Sequence, residues 1–296
     1  MRLPRFEYFA PKTLDAALSL LTENGEGAHV LAGGTDVLVK MTLGRLRPKA
    51  LIRLEGIQGL NEIHFEPKKG LTIGATARLA EVASHPDILT HYPAVAYAAQ
   101  VMANVQVRNM GTVAGNLCNA APSADTAPPL IAMGAEVTVA SLKGERRLPL
   151  DQFFKGPGLT AIEPGEIMTS IFVPSPPPKS GASYKRISAR CGVDIAAVGV
   201  GVMALFDGEA CREAGIVLGA VAPIPMRAIK TEGLVKGQEW TQELIERAGD
   251  QAAQESKPIS DVRASAEWRK RMVAVLTRRA LEEARERAKK RYTAAH

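Results

Sequence analysis

The run Pro174-Ser175-Pro176-Pro177-Pro178-Lys179-Ser180-Gly181 constrains this chain most, because it can continue neither a helix nor a sheet. Proline lacks the amide hydrogen that both ladders require, so the run is expected to lie extended on the surface between two folded units. Residues 1–176 and 177–296 are therefore read as two domains, which suits a 296-residue chain at roughly 100–200 residues per domain. Hydrophobic residues make up 46% and charged residues 23%, enough for each unit to bury a core.

Ahead of the break, Thr13 can cap a helix in which Leu14, Ala17, Leu18 and Leu21 recur at helical spacing, ending at Asn24-Gly25. The apolar run 28–32 predicts a buried strand. It ends on Gly33-Gly34-Thr35-Asp36, after which Val37, Leu38 and Met41 resume helical spacing. Further strands are predicted at 50–54, 71–74, 136–141 and 167–173, and helices at 79–83 and 94–103. Residues 105–129 fit no period and read as a long structured loop, which inside a compact domain is usually functional. Past the break, three antiparallel strands are predicted at 183–189, 195–206 and 213–220, the last two joined by the hairpin signal Asp207-Gly208. Helices follow at 241–255 and 265–290, the second capped by Ser265.

Two segments carry chemistry. Gly33-Gly34-Thr35-Asp36 lies where a strand hands over to a helix, so backbone N–H groups can face an anion and the absent side chains let a phosphate approach. It is not GxGxxG, and a P-loop GK[ST] is absent, which argues against Rossmann binding and nucleotide hydrolysis. Asp36 would repel a phosphate if it pointed inward and is expected to cap the helix. The second segment, 111–125, combines small residues with hydroxyls and amides and can pass close to a large planar ligand. Two such cradles suit a cofactor with a central pyrophosphate and two polar arms. The plainer readings, a capped tight turn and a Gly/Pro connector, stay open for each segment taken alone.

A formal charge of +6 and a pI near 9.3 raise the question of nucleic acid. The late basic residues Arg263, Arg269, Lys270, Arg271, Arg278, Arg279, Arg285, Arg287, Lys289, Lys290 and Arg291 alternate with Glu267, Glu282, Glu283 and Glu286, the pattern of a solvated helix face laced with ion pairs. Aromatics are only 5%, and no stacking platform interrupts the basic segment, so no nucleic acid is expected. An acidic partner subunit suits that face better. No apolar run approaches the ~20 residues of a membrane span, and residues 1–9 carry charge and proline where a signal peptide is apolar, so a cytoplasmic protein is expected. Cys118, Cys191 and Cys211 are too scattered for a disulfide framework or a CxxC pair. The histidines His29, His64, His85, His91 and His296 form no ligand pattern, and no metal is expected.

Taken together, Ala32-Gly33-Gly34-Thr35-Asp36, then Val107-Arg108-Asn109-Met110-Gly111-Thr112-Val113-Ala114-Gly115-Asn116, then Asp125, resemble the two FAD-binding motifs of the molybdenum hydroxylase flavoprotein subunits. That family includes the medium subunit of aerobic carbon monoxide dehydrogenase and the flavin domain of xanthine dehydrogenase. The likeness continues through Phe153, Glu166-Ile167, Tyr184 with Arg186, Asp194-Ile195-Ala196, and Gly219-Ala220-Val221-Ala222-Pro223 with Pro225 and Arg227. It implies an α+β chain: a vanillyl-alcohol-oxidase-type (PCMH-like) FAD-binding domain, then a smaller domain with a three-stranded antiparallel sheet and a helical bundle. It also implies that Leu31 and Ala32 to Val37 (Gly33, Gly34, Thr35 and Asp36 between) hold the pyrophosphate. Gly111, Thr112, Ala114, Gly115 and Asn116 would hold it from the other side, with Ala120 nearby and Asp125 taking a cofactor hydroxyl. Met168 would pack near the ring system, and Met102 stands where an aromatic residue can lie against it. Arg186 would meet the pyrimidine end of the flavin, where a cation stabilises the reduced ring. Strand alternation puts Arg186 on the face of Tyr184 and Ser188 and turns Lys185 away, and a one-residue slip would exchange them.

Such a subunit is an oxidoreductase component with no catalytic acid or base of its own. It passes electrons from 2Fe-2S clusters in a small partner subunit to FAD and on to an external acceptor, the substrate being oxidised in a large molybdopterin-binding subunit. A dimer of heterotrimers is implied. Two departures stand out. Ala114 replaces a frequent glycine, and the four-cysteine loop of the 4-hydroxybenzoyl-CoA reductase type has no counterpart. His29 lies close before the Gly33 turn, where covalent flavin attachment is conceivable, but Val30 and Leu31 intervene. Two other readings stay open: a stand-alone flavoenzyme of the same FAD fold, such as a UDP-N-acetylmuramate reductase or a covalent-flavin oxidase, and a non-enzymatic binding or scaffold protein. The latter predicts no bound flavin.

Overall fold

The structure, a computed structural model, describes residues 3–190 and 193–294, with side chains up to Lys290 in the last helix. Met1, Cys191, His296 and the side chain of Arg291 lie outside the described residues. The chain builds three lobes in sequence order. The first holds β1 (Glu7–Phe9), α1 (Leu14–Asn24), β2 (Ala28–Leu31), α2 (Val37–Thr42) and β3 (Ala50–Arg53). Thr13 caps α1 as expected, its Oγ1 accepting from the Ala16 amide at 3.2 Å, and Gly25 closes it at φ +56°. Ala17, Leu18 and Leu21 share one helix face and bury against Ala50 and Ile52 of a parallel sheet ordered β1-β3-β2.

The second lobe runs through β4 (Ile63–Glu66), β5 (Gly70–Gly74), α3 (Leu79–Ser84), α4 (Pro86–His91), α5 (Pro93–Val101), α6 (Val105–Arg108), α7 (Val113–Asn119), α8 (Ala127–Ala132), β6 (Glu136–Ser141), β7 (Gly144–Pro149), β8 (Phe154–Gly156), β9 (Leu159–Thr160) and β10 (Ile167–Pro174). Its five-stranded antiparallel sheet is ordered β4-β5-β10-β6-β7. Residues 105–129, expected as one loop, instead form α6, α7 and the start of α8. Each is only a turn or two long, too short for a period to show, and each of the first two is started by a polar cap. Asn104 Oδ1 accepts from Val107 N at 2.8 Å, and Thr112 Oγ1 accepts from Gly115 N at 2.9 Å.

The run 174–181, expected to continue neither helix nor sheet, is sheet at both its ends: Pro174 closes β10 and Ser180-Gly181 opens β11 (Ser180–Ile187), so only 175–179 connect the two sheets. The third lobe is completed by β12 (Val198–Asp207), β13 (Ala210–Gly219), β14 (Met226–Arg227), α9 (Ile229–Val235), α10 (Gln242–Glu255) and α11 (Ala266–Ala294). The three expected antiparallel strands are present, and a two-residue fourth, β14, extends the sheet to the order β11-β12-β13-β14. Alternation divides its faces. Val198, Val200, Val202 and Ala204 bury against α10 and α11. The opposite face of β12 and β13 carries glycines against α8: a Cβ on Gly201 would stand 2.5 Å from the Pro128 carbonyl carbon, and one on Gly215 2.5 Å from the Ala132 oxygen. Helix and sheet touch through bare backbone there, which is what seats the third lobe on the second.

Candidate functional site

The two small-residue turns meet. A Cβ on Gly33 would lie 1.9 Å from the Met110 carbonyl oxygen and 2.8 Å from the Gly111 Cα, so no side chain fits where the first turn crosses the second. Gly34 takes φ +73° to continue the turn. On the other side, Gly111 faces the Thr35 hydroxyl, and its carbonyl accepts from the Leu79 amide at 2.8 Å, which anchors the turn to α3. Backbone from residues far apart in sequence is thus brought into one ridge.

A cavity of about 560 Å³ opens beside this ridge, between the first and second lobes. That is within the range of roughly 300–1,000 Å³ usual for small-molecule and cofactor sites. It is lined by Ala32, Gly33, Gly34, Thr35, Asp36 and Val37 from the first turn and by Gly111, Thr112, Ala114, Gly115 and Asn116 from the second. Met102 and Met168 also line it, as expected. Asn116 is oriented by Thr126, whose hydroxyl donates to its Oδ1 at 2.7 Å. Ala114, the departure from glycine, is 3% exposed, belongs to the core cluster and also lines the cavity.

Leu31, Ala120, Asp125 and Arg186 stand outside this lining. Leu31 ends β2 and faces a second cleft of about 410 Å³ behind the ridge, shared with Gly33, Gly34 and Thr112. Ala120 closes α7 in the left-handed conformation, at φ +47°. Asp125 and Arg186 are spent on each other: Arg186 Nε lies 3.1 Å from Asp125 Oδ1, both side chains under a tenth exposed, and the Tyr184 hydroxyl donates to the same oxygen at 2.7 Å. Arg186 also donates to the carbonyls of Val101 and Asp194, both at 2.8 Å. It therefore braces the wall directly behind Met102. Burial pushes the Asp125 carboxyl up, against the pull of Arg186 and the Tyr184 hydroxyl. Burial, then Asp125, pushes the Tyr184 phenol well up. Lys185 points the other way, its Nζ 3.2 Å from Glu283 of α11.

Asp36 does not cap α2. Its Oδ1 accepts instead from Asn119 Nδ2 at 3.0 Å, while Asn119 Oδ1 accepts from Lys40 Nζ at 2.6 Å. Partial burial raises the Asp36 pKa and Lys40 opposes it. His29, Lys40, Cys118, Asn119 and Glu166 also line the cavity and were not among the expected contacts. Lys40 was foreseeable, being four residues after Asp36 on the same helical face. Burial and then Lys40 lower the His29 pKa, and burial pushes the Cys118 thiol up to about 12. Glu166 is gripped by Arg146 through two contacts of 2.7 Å, which lowers its pKa.

A ridge of crossed glycine turns, a cavity between two α+β lobes and a small antiparallel sheet with helices behind define the class of two-domain FAD-binding flavoproteins. Residues 4–176 match the family described as the FAD binding domain in molybdopterin dehydrogenase, and residues 182–284 match the CO dehydrogenase flavoprotein C-terminal domain. The carbon monoxide dehydrogenase medium chain of Hydrogenophaga pseudoflava is 33% identical over 94% of this chain and 96% of its own. A putative xanthine dehydrogenase FAD-binding subunit of Escherichia coli (strain K12) is 30% identical over 94% of this chain and 95% of its own. A solved carbon monoxide dehydrogenase chain from H. pseudoflava superposes with a TM-score of 0.93 at 33% identity, covering 97% of this chain and 99% of that one. The chain belongs to the family of FAD-binding medium subunits of molybdenum hydroxylases, the flavoprotein components of multi-subunit oxidoreductases. Among the described residues, no helix is long and apolar enough to cross a membrane.

Proposed function

We propose that this chain holds FAD between its first two lobes and relays electrons to it from the 2Fe-2S clusters of a small partner subunit, and from there to an external acceptor. A large molybdopterin-binding subunit oxidises the substrate, and two such heterotrimers pair. The contact that carries the reading is Gly33 packed on the Met110 carbonyl, because it joins the two turns over one cavity. The residues present fit the group: peptide N–H groups and the Thr35 and Thr112 hydroxyls can take its diphosphate, and Met102 and Met168 give its ring apolar walls. When bound, FAD supplies the redox chemistry; the protein binds, orients and tunes it. We assign residues 1–176 to the FAD-binding domain and 177–296 to the C-terminal domain, a division supported by the two family matches. Cytoplasmic residence is supported by the free thiols Cys118 and Cys211.

Arg186 and Asp125 are proposed to act from behind the wall, by fixing the Val101–Met102 segment, rather than through first contact with the cofactor. Replacing Gly33 with Ala tests the central claim. The added methyl must displace the Met110 carbonyl, so the purified variant is expected to lose its flavin, read as the ratio of absorbance near 450 nm to 280 nm, on the order of a tenth of wild type or less. A Gly33→Ala chain with full flavin content, folded by circular dichroism, overturns the site assignment.

A further inference from the structure

We propose that Lys40 is the residue that makes this cavity select an anionic, diphosphate-bearing dinucleotide, and that Asn119 positions it. The inference rests on the flavoprotein reading above and adds a residue that neither small-residue turn contains. Lys40 is the one lysine or arginine among the described residues lining the cavity. Its Nζ donates to the neutral amide oxygen of Asn119 rather than to a carboxylate, so its charge is held in place but not cancelled.

The other charges facing the cavity sharpen the point. Glu166 is neutralised by its two contacts with Arg146. Asp36 has no such partner: it takes one side-chain amide hydrogen from Asn119 and stands just before α2, one turn from Lys40. Burial first, then Lys40, lower the His29 pKa, which disfavours a second positive charge there. A diphosphate entering there meets the Asp36 carboxylate, and Lys40 is the cation that offsets it. Arg53 and Arg78 line the cleft behind the ridge, and both are engaged by Glu55. The Asn119 amide, reaching from the end of α7, separates Asp36 from Lys40. It ties the carboxylate with one arm and aims the ammonium with the other, so the pair does not collapse into an i, i+4 ion pair.

The test uses the full chain, stripped of flavin, and the complex assembled with its partner subunits, titrated with FAD by fluorescence quenching. Riboflavin, which lacks phosphate, serves as the neutral probe, and ADP as the competitor. For Lys40→Met the FAD dissociation constant is expected to rise roughly tenfold to a hundredfold, the worth of one charge-assisted contact. Riboflavin binding should stay unchanged, ADP should compete more weakly, and the dependence of affinity on salt should flatten. Lys40→Arg should keep wild-type affinity within about threefold, and Asp36→Asn should tighten FAD. Should Lys40→Met not fold, the Asp36→Asn arm decides: unchanged or weaker FAD binding there overturns the inference. So does a Lys40→Met chain that binds FAD like wild type, or one that loses riboflavin and FAD alike, which would mark a structural role only. A wild-type chain that binds no FAD in either format overturns the flavoprotein reading first, and this one with it.

Discussion

Asp125, Tyr184 and Arg186 form a buried polar set behind the wall that carries Met102. The carboxylate sits 6% exposed, a position too costly for an unpaired charge, and is kept there by a phenol and a guanidinium on the same face of β11. Removing one hydroxyl should unbalance this set. Tyr184→Phe is expected to lower stability by about 1–3 kcal/mol, the cost of leaving a buried acceptor short of a donor, and to lower Tm in calorimetry. A variant that melts with wild type would show that the Asp125 oxygen finds another donor. Arg269 shows the converse. Within a basic run expected to be solvated, it is 3% exposed and clamps the Ala197 and Ala220 carbonyls at 2.8 and 3.1 Å.

Among the elements, α11 depends on how its first turn is fastened. Arg269 Nη2 donates to Asp261 Oδ1 at 2.7 Å, and the same carboxylate accepts from the Arg263 and Ala264 amides at 2.9 and 3.3 Å. The Arg263 amide first, then Arg269 and the Ala264 amide, hold the Asp261 carboxyl down to about 2 from an ordinary value of 3.8, against the opposing effect of desolvation. A depressed carboxylate pKa contributes stability that is complete above the unfolded value and lost as pH falls through the folded one. Wild type should therefore outlast Asp261→Asn in denaturant at neutral pH, with the advantage shrinking between about pH 4 and pH 2. An advantage constant over that interval would mean the carboxylate is not what fastens the helix. Farther along, Glu267 and Arg271 form an exposed i, i+4 pair, which contributes little, whereas Glu283 and Arg287 pair half-buried against β11, where Glu283 also meets Lys185 and Arg287 donates to the Ala182 carbonyl.

For the molecule as a whole, the third lobe bears on the cavity because its sheet lies flat on α8 and its first strand reaches the wall behind Met102. The glycines of β12 and β13 permit that approach. Gly201→Val would drive a branched side chain into the Pro128 backbone, so the sheet must lift. The expected outcome is faster proteolysis within residues 174–180 and weaker flavin retention, although Gly201 lines no part of the cavity. Unchanged cleavage and flavin content would show that the lobes are coupled elsewhere.

What could be read from residue order was whatever local stereochemistry dictates. Thr13 and Gly25 bound α1, the prolines at 176–178 separate one sheet from the next, and the Gly33-Gly34 turn can admit a close approach, with a plain capped turn left open beside it. The Asp207-Gly208 hairpin signal foretold the pairing of two of the three long strands of the last sheet, and the second glycine turn foretold a partner for the first. The short helices of 105–129 escaped because a period needs more turns than they have. Asp36 escaped for a different reason: a capping role is a local inference, and its actual partner, Asn119, lies 83 positions away. The Lys40 clasp and the Asp125–Arg186 pair, like the cavity itself, likewise join elements distant in sequence. A hydrogen bond of ~3 Å between such side chains exists only once packing has put their backbones side by side.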